Sequence, residues 1–184
     1  MNIGFDIDET LTNSEKFIKD LCLEYIQKNN LRYKMINPNA QSASDMFNWD
    51  FDTFCKFWEE YGFKYEENVP TRNNIIKTLN WLKKQGHKIF IVTSRFTPNT
   101  YLRSKKWLEK NNIPFDELAV NVQDKAKYCL EKDIKLFIDD SIKIYDSLKE
   151  KNIPVLLIDG YTNRDIKNIQ KIYNFEDIKK YLID

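Results

Sequence analysis

The chain has 184 residues, 42% of them hydrophobic and 31% charged, enough for one full domain with a small insert and too few for two. Its 4 Trp, 10 Tyr and 12 Phe exclude disorder, while only 4 Gly and 5 Pro argue against collagen-like, linker-like and most turn-rich all-β chains. Lys and Arg number 29 against 28 Asp and Glu, a net charge of +1 that offers no basic field to a nucleic-acid polymer.

The opening segment lacks the basic lead of a secretory signal and passes from a predicted strand, Ile3–Ile7, straight into carboxylates. The longest apolar runs, Ile89–Val92 and Val155–Ile158, fall far below the roughly 18 residues of a membrane helix, so no membrane partner is expected. Cys22, Cys55 and Cys129 are scattered and without CxxC spacing, which argues against a disulfide framework or zinc site and fits a reducing cytoplasm.

Residues 13–69 hold two predicted helices, Ser14–Asn29 and Asp50–Tyr61, with loop chemistry at Asn37-Pro38-Asn39 and Asn68-Val69-Pro70. No parallel strand separates them. We read this stretch as a helical cap inserted over the C-terminal end of strand one, where ligands bind in open α/β sheets; residues 1–12 and 70–184 form the core. The cap carries Phe47, Trp49, Phe51, Phe54, Phe57, Trp58, Tyr61, Phe63 and Tyr65. Such a cluster could stack a nucleobase, but a small unit needs large side chains to make a core, and the core reading is favoured for any given member. One or two members are expected to line the cleft.

From residue 71 helix and strand alternate. Helix Thr71–Gln85 turns Ile75, Ile76, Leu79 and Leu82 to one face and stops at Gly86; strand Lys88–Thr93 follows. Helix Pro98–Asn111 directs Leu102 and Leu108 inward, and strand Glu117–Val120 comes next. Helix Lys125–Glu131, strand Lys135–Ile138, helix Ile142–Lys149, strand Val155–Ile158 and a closing helix Phe175–Leu182 complete the order. Asn112-Ile113-Pro114 and Asn152-Ile153-Pro154 each read as a helix ending on Asn, with Pro blocking its continuation. The strands are apolar on both faces, as buried parallel strands are. The expected fold is α/β, a doubly wound, mainly parallel five-stranded sheet with the helical cap after strand one.

In such a sheet the residues that follow each strand face the crevice. Strand one delivers Asp6 and Asp8, strand two Thr93, Ser94 and Arg95, and strand four Asp139 and Asp140, with Lys125 just before it. These clusters meet on one rim.

Phe5-Asp6-Ile7-Asp8-Glu9-Thr10 resembles the DxDxT signature of the haloacid dehalogenase (HAD) superfamily, and Ile89–Thr93, Lys125 and Asp139-Asp140 fall where its other motifs belong. The resemblance spans residues 1–159. The helical insert and the tail, Val155–Asp159 followed by Tyr161 and Asn163, look like the 5′(3′)-deoxyribonucleotidase type C family and its bacterial relatives. Eukaryotic members place a phenylalanine eight positions after the nucleophile; here that position is Ser14, with Phe17 one turn on.

The resemblance implies an Mg²⁺-dependent phosphomonoesterase with a small-molecule phosphomonoester as its partner. A phosphate dianion repels an attacking carboxylate, by about 4 kcal/mol for unit charges about 4 Å apart at a dielectric near 20, and a hard cation removes that penalty. By resemblance Asp6 is nucleophile and metal ligand. Asp8 is general acid and base and lends its carbonyl to the metal, and Asp139 or Asp140 completes the ligands. Thr93, Ser94 and Lys125 would hold phosphate oxygens. Arg95 reads either as a phosphate contact or as a salt bridge at the start of the next helix, and Lys127 is a weaker rival to Lys125. His87 reads as exposed or structural, and Tyr161 and Asn163 as ordering the tail. The implied substrates are (deoxy)nucleoside 5′-monophosphates. A sugar or other metabolite phosphate is the alternative within enzymes, and a non-catalytic phosphate-binding module the alternative outside them.

Overall fold

The computed structural model describes residues 1–38, 40 and 43–182. Its centre is a parallel sheet of strands β1 (Asn2–Phe5), β2 (Lys88–Val92), β3 (Glu117–Ala119), β4 (Ile134–Asp139), β5 (Val155–Ile158) and β6 (Lys171–Ile172), ordered β3-β2-β1-β4-β5-β6. Helices α4 (Ile75–Lys84), α5 (Thr100–Lys110), α6 (Lys125–Glu131) and α7 (Ile142–Glu150) make the crossovers, and a 3₁₀ helix, Phe175–Tyr181, closes the chain. The order reverses between β1 and β4, so the topological switch point lies between the ends of those two strands. Phe5 pairs with Ile138 there, and the Asp6 amide donates to the Ile138 carbonyl at 3.1 Å.

Strand alternation divides the core into two layers. Ile89, Ile91, Leu136 and Ile138 pack with Leu79, Leu82, Trp107 and Leu108 on one face; Phe90, Val92 and Phe137 pack with Ala126, Cys129 and Leu148 on the other. That is the doubly wound arrangement, with apolar residues needed on both sheet faces. Gly4 is required in β1 because a Cβ there would run into the Phe137 ring. The crossover helices end as their sequences suggest: Asn112 and Asn152 take left-handed φ values of 53° and 56°, and Gly86 takes 81°.

Several expectations are corrected. The sheet has six strands rather than five, since Lys171–Ile172 adds to β5 as a two-residue edge. Strand β1 stops at Phe5; Ile7 is buried in the following turn, where its carbonyl accepts from the Leu11 and Thr12 amides. Leu102 is 64% exposed, because α5 buries Thr100, Ser104, Trp107 and Leu108 instead. Ile76 likewise faces outward, while Ile75, Thr78, Leu79 and Leu82 are buried. The closing helix is present as a 3₁₀ helix that ends at Tyr181, one residue short of the expected Leu182.

Between β1 and α4 lie α1 (Glu15–Lys28), α2 (Ala43–Phe47) and α3 (Phe51–Asn68). Helix α2 is additional to the two expected, and α3 runs seven residues past Tyr61. Asn39 of the expected loop lies outside the described residues. The two chain crossings into this segment are tied together: Thr12 and Thr71 form an antiparallel bridge, and the Asn13 and Arg72 amides bond to Pro70 and Leu11 carbonyls. Trp107 of α5 donates its indole N–H to the Val69 carbonyl at 2.7 Å. Among the described residues no helix is long and apolar enough to cross a membrane.

Candidate active site

Asp6 is the first residue after β1 and Asp139 the last of β4. These neighbouring ends, at the switch point, place their carboxylates together. Lys125, at the first turn of α6, reaches between them and donates to Asp6 Oδ1 at 2.6 Å and Asp139 Oδ2 at 2.8 Å. All three are buried. Asp140 joins them, and oxygens of Asp6, Asp139 and Asp140 lie within 4.8 Å of one another. An all-oxygen carboxylate set of this kind suits a hard divalent cation.

The electrostatics follow from one lysine facing three carboxylates. Burial pushes the Asp6 carboxyl up to about 7; Lys125 opposes this, and Asp139 and Asp8 add to it. Burial, with the charges of Asp139 and Asp6, also raises Asp140 well above the ordinary range. Burial works against the Lys125 charge, yet Asp6 and Asp139 outweigh it and its pKa is raised. A further positive charge would relieve the carboxylate crowding.

Each acid is also braced. Asp139 Oδ1 accepts from the Ser141 amide at 2.8 Å. Asp140 accepts from Thr162 at 2.6 Å and, more weakly, from Thr10 at 3.4 Å, and its carbonyl accepts from Asn163 at 2.7 Å. Asn163 thus fixes the loop after β4 to the tail, and Tyr161 lines the cleft. The turn after β1 is held in a costly conformation: Glu9 has φ 56° and is buried. Arg72 secures it from the carbonyl side through Glu9, Thr12 and Asp159, while the Glu9 carboxylate accepts from the Ser14 amide and hydroxyl.

Asp8 stands slightly apart from the acidic cluster. Arg95 grips it with Nε on Oδ2 at 2.8 Å and Nη2 on Oδ1 at 2.6 Å, and the Tyr65 hydroxyl donates to Oδ1 at 3.1 Å. Arg95 therefore turns back to Asp8; only Nη1 reaches toward α5, at 3.3 Å from the Ser104 hydroxyl. Thr93 is buried with its hydroxyl beside the Arg95 amide, and the Ser94 hydroxyl donates to the Val122 carbonyl, leaving both residues on the cleft wall. Lys127 sits away from the cluster, in an exposed i,i+4 pair with Glu131. His87 lies away from the cleft, with its ring Nδ1 3.4 Å from the chain's own N-terminal amine.

These groups form the floor of a cleft of about 880 Å³ whose walls include Phe54, Trp58 and Tyr65 of α3 and Phe96 after β2. Three members of the expected aromatic cluster thus line the cleft rather than one or two, and the rest are elsewhere. Phe47, Trp49, Phe57 and Tyr61 are buried and pack around Tyr25, whereas Phe51 and Phe63 point outward. Trp49 is thus a core residue and Trp58 a cleft residue. Phe17 packs against the Tyr65 ring, and Ser14 reaches the cleft. The Arg95 and Tyr65 contacts to Asp8 and the Glu9–Arg72 brace have no local sequence signal, because the partners are 57 to 87 positions apart.

Known proteins place this geometry. The chain is 29% identical over 181 residues to a nucleotidase of Clostridium acetobutylicum, covering 97% of this chain and 91% of the relative. Its fold superposes on a haloacid dehalogenase-like family hydrolase of Streptococcus pneumoniae with TM-score 0.75 at 17% identity, over 99% of this chain and 98% of that one. A predicted phosphoglycolate phosphatase of Haemophilus somnus matches with TM-score 0.73 at 21% identity, over 98% and 97% of the two chains. The sequence profile of the haloacid dehalogenase-like hydrolases matches residues 3–127, well over half of the chain. Residues 3–5 of β1 with the Asp6–Thr10 turn, β2 with Thr93, and Lys125 all lie inside that match, and the chain belongs to the haloacid dehalogenase-like hydrolase family.

Proposed function

We propose that this hydrolase is an Mg²⁺-dependent phosphatase that forms an aspartyl-phosphate on Asp6 and acts on nucleoside 5′-monophosphates, deoxy or ribo. The observation that carries the reading is the buried Asp6–Lys125–Asp139 cluster, with Asp140, on the floor of a cleft walled by Phe54, Trp58, Tyr65 and Phe96. With a divalent cation held among its three carboxylates the floor would suit a phosphate dianion, and the walls suit an aromatic leaving group. The nucleotidase relative supports the same substrate class.

Asp6, Asp139 and Asp140 would hold the Mg²⁺ with the Asp8 carbonyl; bound there, the ion supplies charge neutralisation for the phosphate. An oxygen of Asp6 attacks phosphorus, the ester P–O bond breaks, and its electron pair leaves on the ester oxygen. Asp8 gives that oxygen a proton and then takes one from the water that attacks the phosphoryl group, restoring Asp6. Lys125, Thr93 and the Ser94 main chain grip the phosphoryl oxygens. Residues 13–69 act as the cap that excludes water and reads the leaving group.

The test is phosphate release across nucleoside monophosphates and sugar phosphates, with Mg²⁺ and then with EDTA. Nucleotides should be the better substrates, and activity should vanish with EDTA. Faster turnover of sugar phosphates would redirect the substrate assignment, and no phosphate release from either class would favour a phosphate-binding module.

A further inference from the structure

Asp8 makes more contacts than a freely mobile acid–base group needs. A carboxylate offers about four acceptor positions. Arg95 Nη2 and the Tyr65 hydroxyl occupy two on Oδ1, and Arg95 Nε occupies one on Oδ2. Among the described residues one position, on Oδ2, is left. The two holders are themselves fixed. Arg95 is buried, its guanidinium 5.8 Å from the centre of the Tyr65 ring, and its third nitrogen meets Ser104. Tyr65 is 6% exposed and packs against Phe17 and Trp58.

The holders also come from different parts of the molecule. Arg95 follows β2 of the sheet, whereas Tyr65 belongs to α3, between β1 and α4. Asp8 is one of the points where the two parts meet, alongside the hydrogen bonds from Thr97 and Thr100 to Glu66 and from Trp107 to Val69.

We infer that Arg95 and Tyr65 are positioning residues for Asp8: they direct proton transfer with the leaving-group oxygen through the one remaining position on Oδ2, and Tyr65 makes that alignment depend on where α3 sits. The inference rests on the proposed phosphatase reading. It carries a specific consequence, because Asp8 matters to the first bond cleavage only when the leaving group needs a proton. A sugar alkoxide needs one. A p-nitrophenolate does not.

The experiment is a rapid-quench measurement of first-turnover leaving-group release by wild type, Tyr65→Phe and Arg95→Lys, each with a nucleoside monophosphate and with p-nitrophenyl phosphate. General acid catalysis contributes about 10²–10⁴-fold, so partial misalignment should slow nucleoside release by about 10-fold in Tyr65→Phe and about 100-fold in Arg95→Lys. Release of p-nitrophenol should slow at least about 10-fold less than that in Arg95→Lys, and also less in Tyr65→Phe. Tyr65→Phe keeps the ring and its packing, so it remains informative if Arg95→Lys folds poorly. Equal slowing of both substrates, or no slowing of either, in folded Tyr65→Phe would overturn the inference. Wild-type protein that releases neither leaving group would instead bring down the phosphatase reading itself.

Discussion

At the carboxyl edge of the sheet Lys125 lies 2.6 Å from Asp6 and 2.8 Å from Asp139, with every one of these charges buried. Across the cleft, Phe47, Trp49, Phe57 and Tyr61 pack ring against ring around Tyr25, with centroids 5.2 to 5.7 Å apart. The first region is unfavourable to fold by itself: burying charges costs several kcal/mol per ion, and pairing returns only part of that. The second is held by apolar area and aromatic geometry, and each ring pair adds about 0.5–1.5 kcal/mol beyond its burial. The sheet edge therefore spends stability to hold chemistry in place, and the helical segment supplies shape. Substitutions at the edge should change what the protein does, and most substitutions in the segment should change how firmly it folds.

The largest effect expected on this contrast is at the proposed nucleophile. Asp6→Asn keeps size but would remove the proposed attacking oxygen and a proposed metal ligand, so turnover should fall at least about 10³-fold while circular dichroism is unchanged. Retention of more than about a tenth of wild-type turnover would break the mechanism. Chelation by EDTA should cost at least about 10²-fold, and added Mg²⁺ should restore the loss.

Two tryptophans sharpen the comparison within the helical segment. Trp49→Ala empties a buried site and should destabilise the protein by about 3–5 kcal/mol in denaturant titration. Trp58→Ala strips a cleft wall and should lower kcat/KM for nucleotides about 10-fold more than for p-nitrophenyl phosphate. If Trp58→Ala lowers both substrates equally, it acts through folding, and the segment does not read the leaving group.

A smaller effect isolates packing in the sheet. Gly4→Ala puts a methyl against the Phe137 ring and should cost about 1–3 kcal/mol in thermal or denaturant unfolding, with kcat of the folded enzyme little altered. At the bottom of the range, Phe51→Ala replaces a ring that is 79% exposed, and unfolding free energy should move by no more than about 0.5 kcal/mol.

The legibility of the two regions differs for physical reasons. The sheet-edge positions of Asp6, Thr93 and the Asp139–Asp140 pair could be read from sequence because apolar strands end abruptly at them and a parallel sheet brings strand ends to one edge, whereas Lys125 opens α6 and was legible only through the family resemblance. The inward face of α5 was hidden because half of it is polar: Thr100 and Ser104 are buried beside Trp107, and Ser104 faces Arg95. Leu102 carried the apolar signal on the wrong side. Strand β6 has two residues and α2 five, too few for any periodicity to register. Which aromatics line the cleft depends on the rotation of α3, where Phe54, Trp58 and Tyr65 face one way and Phe57 and Tyr61 another. The sequence pattern supplies both sets and does not separate them. The Asp8–Arg95–Tyr65 contact lies beyond local reading because it joins three distant segments.

The central claim is covalent catalysis through Asp6 with Asp8 as its acid and base, and it is tested most directly by trapping the intermediate in Asp8→Asn. Asparagine cannot take a proton from water, so the second half-reaction should stall, while p-nitrophenolate leaves without help in the first. Folded Asp8→Asn, mixed with p-nitrophenyl phosphate and Mg²⁺ and quenched in acid, should gain one phosphoryl group by intact-protein mass spectrometry, located by fragmentation on Asp6. Folded variant protein that releases p-nitrophenol at the wild-type steady rate with no adduct, or that carries the phosphoryl group on another residue, would contradict the account.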